Sequence, residues 1–118
     1  MTVLLAAALA ICPTHGARQD CVHDGDTWWL SGEKFRLANF DAPEMNGKCA
    51  FERQLAIRAR DRLAELLAAD DIRLQRLGTD RYRRTLVVVT VFGRSLGDIM
   101  FQEGLVRRWP PNDPSWCK

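Results

Sequence analysis

The sequence predicts a small α+β domain, because strand-like segments come first and are followed by a helix, two further strands and a second helix. The chain has 118 residues, of which 47% are hydrophobic and 27% charged, so one globular domain of ordinary composition is expected. A five-stranded Greek-key barrel with two helices, the OB-fold, satisfies this order of elements. The formal net charge of +2 is too small to indicate a nucleic-acid partner by itself.

The first two strands are predicted at residues 28–30 and 34–38, on either side of a Ser-Gly turn at residues 31–32. A short turn of this kind between two apolar segments is typical of a β-hairpin. Trp28 and Trp29 are adjacent in the first strand, so their side chains point to opposite faces of the sheet. At least one of them is therefore expected in the core.

The predicted hairpin also brings two distant carboxylates together. If the turn has two residues, Asp26 lies across from Leu37, and Asp41 then lies toward the same end of the hairpin as Asp26. This geometry would allow both aspartates to bind one metal ion.

The longest helix is predicted at residues 52–69, where apolar residues recur at helical spacing. Its apolar face consists of Leu55, Ala59, Leu63, Leu66 and Leu67. Most of the charged residues in this segment occupy the other faces, which we interpret as solvated and not as a binding surface.

The second half of the chain is expected to alternate between strands and a short helix. Strands are predicted at residues 71–77 and 86–92. Residues 95–98 form a capping-box signature, and the helix that follows them should end at Gly104. Residues 105–109 are expected to add one more short strand before two prolines end it.

Residues 1–17 are interpreted as an apolar N-terminal segment that precedes the OB-fold domain at residues 18–118. The apolar run from Val3 to Cys12 is too short to span a membrane. It suits the hydrophobic region of a secretory signal, although no Lys or Arg precedes it. A signal remnant and a retained first strand of the domain both remain open.

The chain contains four cysteines, none of them in a C-x-x-C pair, so a zinc knuckle or a thioredoxin-like site is not expected. Scattered cysteines in a small domain indicate disulfides and an oxidising compartment, so we expect a secreted or periplasmic protein. We expect Cys12 to pair with Cys21 and Cys49 with Cys117, and buried free thiols are the alternative.

Three short segments carry the chemistry. They are D-G-D-T at residues 24–27, R-L-A-N-F-D-A-P-E at residues 36–44 and D-R-Y-R-R at residues 80–84. Their carboxylates can hold a hard divalent cation through oxygen, and their arginines can bind phosphate oxygens in bidentate fashion. This combination is what metal-assisted attack on a phosphodiester requires.

In order and spacing, these three motifs resemble those of the thermonuclease family, the group typified by staphylococcal nuclease. The resemblance extends from Cys21 to Trp109. It implies the OB-fold and a calcium-dependent nuclease that acts on DNA and RNA with little sequence preference. It also implies cleavage of the 5′ P–O bond, which leaves 3′-phosphates.

The metal ligands expected from this resemblance are the carboxylates of Asp26 and Asp41 and the backbone carbonyl of Ala42. Oxygen ligands completed by water suit Ca²⁺, which tolerates an irregular coordination shell. Asp24 is expected near the metal without binding it directly. The alternative for Asp24 and Asp26 is a turn-forming role for their side chains.

The catalytic residues expected are Glu44, Arg36 and Arg84. Glu44 is the candidate general base that activates a water for in-line attack on phosphorus. Arg36 and Arg84 are the candidate phosphate clamps, which would stabilise the charge that develops in the transition state.

Tyr82 and Arg83 are the expected substrate-binding residues. Tyr82 can pack on a nucleotide or donate a hydrogen bond to its phosphate. Arg83 replaces a glycine of the family motif, so it either strains a backbone with positive φ or adds a phosphate contact. We favour the phosphate contact.

The sequence therefore predicts a monomeric calcium-dependent nuclease with DNA and RNA as substrates and no membrane partner. The first alternative is a non-catalytic OB-fold module that binds single-stranded nucleic acid. A second alternative is a small secreted disulfide domain with a protein partner.

Overall fold

The computed structural model of the chain describes residues 8–117, which form an α+β fold with two helices, as predicted. Residues 1–7 of the predicted N-terminal segment lie outside the described residues. In chain order the elements are β1 (Cys21–Asp24), β2 (Thr27–Leu30), β3 (Glu33–Leu37), β4 (Phe40–Asp41), α1 (Ala50–Leu67), β5 (Ile72–Thr79), β6 (Thr85–Val91), β7 (Arg94–Ser95), α2 (Leu96–Gln102) and β8 (Arg107–Arg108).

The main sheet has the strand order β1-β2-β3-β6-β5, with β7 paired to β6, and β4 pairs with β8 separately. All pairs are antiparallel except β3 with β6. This order is consistent with the predicted OB-like fold, but the expected barrel is not closed, because β1 and β5 are not paired within the described residues.

The free edge of β1 is instead occupied by the N-terminal segment. Ile11 forms a parallel bridge with Val22. The Val22 amide donates to the carbonyl of Ala10 at 2.8 Å, and the Cys12 amide donates to the carbonyl of Val22 at 2.9 Å. Residues 10–12 thus satisfy the backbone groups that a closing strand would otherwise use.

The predicted hairpin turn is confirmed. Ser31 and Gly32 connect β2 to β3 with φ angles of 50° and 80°, the left-handed pair typical of a two-residue hairpin. The register pairs Thr27 with Arg36, and the Leu37 amide donates to the Asp26 carbonyl at 2.9 Å. The predicted position of Asp26 across from Leu37 is therefore correct.

Helix α1 begins and ends two residues before the predicted bounds of 52–69. Its N-cap residue is Cys49, which has an extended backbone and forms a disulfide with Cys117. All five residues of the predicted apolar face are buried. The capping prediction for α2 is confirmed, because the Ser95 hydroxyl accepts a hydrogen bond from the Asp98 amide.

The core lies between the sheet and the two helices. Trp28 is fully buried and stacks on Phe35 with ring centroids 5.8 Å apart, whereas Trp29 faces the other side of the sheet and is only partly buried. Two disulfides, Cys12–Cys21 and Cys49–Cys117, confirm the predicted pairing. Between residues 8 and 117, no helix is long and apolar enough to cross a bilayer.

Candidate active site

An open cleft of about 830 Å³ lies where the ends of β1–β4 face the loop between β5 and β6. Most of the side chains that the sequence predicts to be functional line this cleft. They are Asp24, Asp26, Arg36, Asp41, Glu44, Tyr82 and Arg84. The fold thus brings the three sequence motifs to one place.

The turn between β1 and β2 is packed tightly against the helix. A Cβ atom at Gly25 would lie 2.7 Å from the Ala59 Cβ and 2.9 Å from the Ala42 Cβ, closer than side chains can approach. Glycine is therefore required between the two aspartates for the turn to pack on α1.

Asp26 is held in place at both carboxylate oxygens. Thr27 Oγ1 donates to its Oδ1 at 3.0 Å, and the Ala42 amide donates to its Oδ2 at 2.9 Å. Each carboxylate oxygen has a further lone pair, so these bonds orient the group without using all of its capacity to bind a cation.

Arg36 joins the two aspartates. Its Nη1 lies 3.4 Å from Asp26 Oδ2, and its Nη2 lies 3.9 Å from Asp41 Oδ1. The same Nη1 donates to the carbonyls of Leu37 and Phe40, each at 2.6 Å. The guanidinium is therefore fixed at the floor of the cleft, where only 13% of the side chain is exposed.

Asp41 is held by a residue that the sequence analysis did not identify. Arg107 Nε and Nη2 both lie 3.0 Å from Asp41 Oδ2. The contact follows from the pairing of β4 with β8, which places Asp41 opposite Arg107. Asp41 Oδ1 is left facing Arg36, so one oxygen of this carboxylate is anchored and the other is directed to the cleft.

Glu44 lies on a loop that is fixed by another unpredicted residue, Glu52. The buried Glu52 carboxylate accepts hydrogen bonds from the amides of Glu44 and Lys48, each at 3.1 Å. The loop closes tightly over it, since a Cβ at Gly47 would lie 2.5 Å from Glu52 Cγ. Within the described residues, the Glu44 carboxylate itself forms no hydrogen bond or ion pair, so it is free to accept a proton.

Arg84 is positioned by Asp80, the first residue of the third motif. Arg84 Nε donates to Asp80 Oδ2 at 2.8 Å, and Asp80 Oδ1 accepts from the amides of Tyr82 and Arg84. The guanidinium of Arg84 lies 5.2 Å from the centroid of the Tyr82 ring, and that of Arg81 lies 4.9 Å from it. Tyr82 is exposed at the rim of the cleft between these two cations.

Two predicted site residues are not among those that line this cleft. Arg83 has a φ of 64° and an exposed side chain, and it is not among the residues that line the cleft, whereas Arg81 is. Ala42 is buried and borders a second cavity of about 330 Å³ behind Asp41 and Glu44. The positive φ of Arg83 is the strained backbone conformation expected at a position where the family motif has glycine.

The carboxylates of the cleft repel one another. Burial, together with the charge of Asp26, raises the pKa of Asp24 to about 8. Burial also raises the pKa of Asp41, and the charge of Asp26 adds to this effect against the opposing hydrogen bond from Arg107. The pKa of Glu44 is raised by partial burial and then by the charges of Asp26 and Asp41.

A bound divalent cation would offset the mutual repulsion of Asp26, Asp41 and Glu44, and carboxylate oxygens are donors that suit calcium. Asp26 and Asp41 would hold the ion, and backbone carbonyl and water oxygens would complete its shell. In the described part of the chain, no three His, Cys, Asp or Glu side chains converge closely enough to form a metal site by themselves. Asp26 and Asp41 are the two carboxylates that Arg36 contacts in the cleft.

The residues missed from the sequence are Arg107, Glu52, Asp80 and Arg81. Asp80 and Arg81 belong to a motif that was recognised, but the motif did not indicate their separate roles. In the sequence, Glu52 is an acidic residue in the first turn of a helix, and nothing there indicates that it is buried. Nothing in the sequence links Arg107 to Asp41, 66 residues away, except that both lie in short segments before and after the central helix.

Comparison with known proteins agrees with the geometry. The family model described as staphylococcal nuclease homologue matches residues 34–115. A curated protein of Haemophilus influenzae, named only as an uncharacterized endonuclease, is 32% identical over 89 residues, which are 71% of this chain and 47% of that protein. The chain therefore spans about half the length of this relative. The chain belongs to the staphylococcal nuclease homologue family.

Proposed function

We propose that the protein is a calcium-dependent nuclease that hydrolyses phosphodiester bonds of DNA and RNA with little sequence preference. The observation that carries this proposal is the position of Arg36, which lies between Asp26 and Asp41 in the cleft that also contains Glu44 and Arg84. A cation-binding pair of carboxylates beside two phosphate-binding arginines and a free carboxylate is a complete set for phosphodiester hydrolysis.

Each residue has a distinct part in the proposed reaction. Arg36 and Arg84 bind the non-bridging oxygens of the scissile phosphate and stabilise the added charge of the pentacoordinate transition state. Glu44 accepts a proton from the attacking water, and its raised pKa makes it a stronger base than an exposed glutamate. Calcium, when bound by Asp26 and Asp41, would supply Lewis-acid polarisation of the phosphoryl group.

The guanidinium groups of Arg36 and Arg84 are each held in place by contacts within the protein. The hydrogen bonds from Arg36 to two backbone carbonyls and the ion pair between Arg84 and Asp80 restrict both guanidinium groups before substrate arrives. Groups that are already oriented need little reorganisation during the reaction, which lowers its barrier. In the proposed reaction the P–O bond to the 5′ oxygen breaks, the 5′ oxygen takes a proton from solvent water, and the products are a 5′-hydroxyl and a 3′-phosphate.

The family match and the endonuclease name of the Haemophilus influenzae relative support a nuclease. Two disulfides are compatible with a secreted or periplasmic location, which we include in the proposal together with a monomeric state.

The experiment that tests this function is a rate measurement on single-stranded DNA with three site variants. Arg36→Ala, Arg84→Ala and Glu44→Gln should each lower kcat by about 10²-fold or more while the protein stays folded. Arg58→Ala is the matched control, because Arg58 is exposed on α1 away from the cleft. A protein that binds single strands but cleaves none in calcium would instead support the non-catalytic OB-fold module.

A further inference from the structure

The outer face of the first hairpin carries a second group of cations that the proposed chemistry does not use. On β3, Phe35 and Leu37 point into the core, so Lys34 and Arg36 lie on the opposite face. Residues two apart on a strand are separated by about 6.5 Å. This is on the order of the distance between successive phosphates of an extended polynucleotide.

Two cationic side chains on this face pack against the ring of Trp29. It lies directly opposite Lys34 in the β2–β3 register, and the Lys34 ammonium is 5.0 Å from the centroid of its ring. The guanidinium of Arg18 lies 4.9 Å from the same centroid. Packing on an indole restricts both long side chains, so less conformational entropy is lost when they bind an anion.

Two residues near Trp29 connect this group of cations to the active-site cleft. His23 meets Trp29 edge-on at 6.4 Å, and both His23 and Lys34 line the cleft beside Arg36. Arg18 lies within the loop that the Cys12–Cys21 disulfide closes next to β1. Among the described residues neither Arg18 nor Lys34 forms an ion pair with a carboxylate, and Arg18 Nη2 donates to the Pro13 carbonyl at 3.4 Å, so both charges remain available to an anion.

The charges of these cations affect the pKa of His23. Burial lowers the pKa of His23, and the charges of Arg18 and Lys34 lower it further. An opposing contribution comes from the acidic side of the cleft at Asp26. Arg18 and Lys34 are therefore close enough to His23 to disfavour its protonated form.

We propose that Arg18, His23, Trp29 and Lys34, here named the hairpin track, bind the polynucleotide backbone beyond the phosphate held by Arg36. Lys34 binds the next phosphate along the strand, and Arg18 binds one further away. The proposal rests on the proposed function, because it takes Arg36 as the site of the scissile phosphate. It assigns a substrate longer than a dinucleotide, bound through its sugar-phosphate backbone and not through its bases.

The test measures binding of a fluorescent 20-nucleotide single strand by anisotropy, in EGTA so that the strand stays intact. The double variant with Arg18→Ala and Lys34→Ala should bind about tenfold more weakly in dilute salt, and the slope of log K against log salt should fall by about 1.4, for two lost phosphate contacts. The control, Arg58→Ala combined with Arg73→Ala, removes the same charge from exposed residues outside the track.

Substrate length provides the second measurement. In calcium, the loss of kcat/KM in the track variant should be about tenfold for the 20-nucleotide strand and less than twofold for a dinucleotide, which has one phosphodiester. Equal losses on both substrates, or an equal effect of the control variant, would overturn the proposal.

If the wild type binds the strand through the track but cleaves nothing in calcium, the nuclease function fails and the track stands. If it cleaves and the track variant is unaffected, only the track fails.

Discussion

Arg107 holds Asp41 by two contacts of 3.0 Å to a single carboxylate oxygen, Oδ2. Arg107 is itself fixed by the C-terminal segment. It donates to the carbonyls of Asp113 at 2.8 Å and Pro114 at 2.9 Å, and its guanidinium lies 4.2 Å from the centroid of the Trp116 ring. The Cys49–Cys117 disulfide ties this segment to the start of α1. One proposed calcium ligand is therefore oriented by the last described residues of the chain.

Replacement of Arg107 by lysine should weaken calcium binding about tenfold, because lysine keeps the charge but cannot reproduce the planar set of hydrogen bonds. The charge-preserving variant is the informative one, since Arg107→Ala would also remove a positive charge that repels calcium. Isothermal titration calorimetry with CaCl₂ measures the change independently of catalysis.

Arg108→Lys is the matched control for this measurement. Arg108 is adjacent and exposed, and its nearest carboxylate contact is Asp98 at 3.7 Å. The control should bind calcium as the wild type does. An unchanged Kd in Arg107→Lys would show that Arg107 does not orient the proposed ligand.

Arg83→Gly should stabilise the protein by about 1 kcal/mol, because Arg83 has a φ of 64° that glycine adopts without steric cost. Urea unfolding monitored by tryptophan fluorescence measures the gain. Arg81→Gly is the control, since Arg81 does not have a positive φ and glycine there should be neutral or destabilising. A loss of stability in Arg83→Gly equal to that in the control would exclude strain.

Substrate contact by Arg83 is a separate prediction that the same variant tests. If Arg83 binds phosphate at the edge of the cleft, Arg83→Gly should raise KM for single-stranded DNA and lower the salt slope by about 0.7. An unchanged KM and salt slope with faster turnover would contradict that contact and leave only the strain.

Asp24→Asn should stabilise the calcium-free protein near neutral pH and have little effect near pH 4. Burial, with the charge of Asp26, raises the pKa of Asp24 from 3.8 to about 8 in the folded state, so the native state holds a proton that the unfolded state has lost. Stability contributed by this group is therefore full below the unfolded pKa and falls as pH rises from about 4 to 8.

Asparagine resembles the protonated acid at all pH values and keeps the oxygen that accepts from the Asp26 amide at 3.2 Å. Thermal unfolding in EGTA at several pH values measures the difference between wild type and variant. A difference that does not grow between pH 4 and pH 8 would show that Asp24 is ionised in the folded protein.

Local chemistry explains which features could be predicted from the sequence. The Ser31-Gly32 turn sets the register of the hairpin, so the position of Asp26 across from Leu37 could be derived without coordinates. Strand alternation placed one of two adjacent tryptophans in the core, and the structure shows that it is Trp28.

The features that could not be predicted depend on contacts between distant segments. The pairing of Asp41 with Arg107 arises from two-residue strands, which have no periodicity to recognise. The edge of β1 is occupied by residues 10–12, whereas the sequence left both a signal remnant and a first strand open for that segment. Glu52 is buried only because the loop before α1 folds over it.

We propose that the cleft around Arg36 hydrolyses phosphodiester bonds when calcium is held by Asp26 and Asp41. The most direct test is the cleavage rate of single-stranded DNA by the pure protein in CaCl₂, after addition of excess EGTA, and after calcium is restored. We expect cleavage in calcium, loss of at least 10²-fold in EGTA and full recovery on restoration. An undiminished rate in EGTA, or no cleavage in calcium by folded protein, would contradict the account.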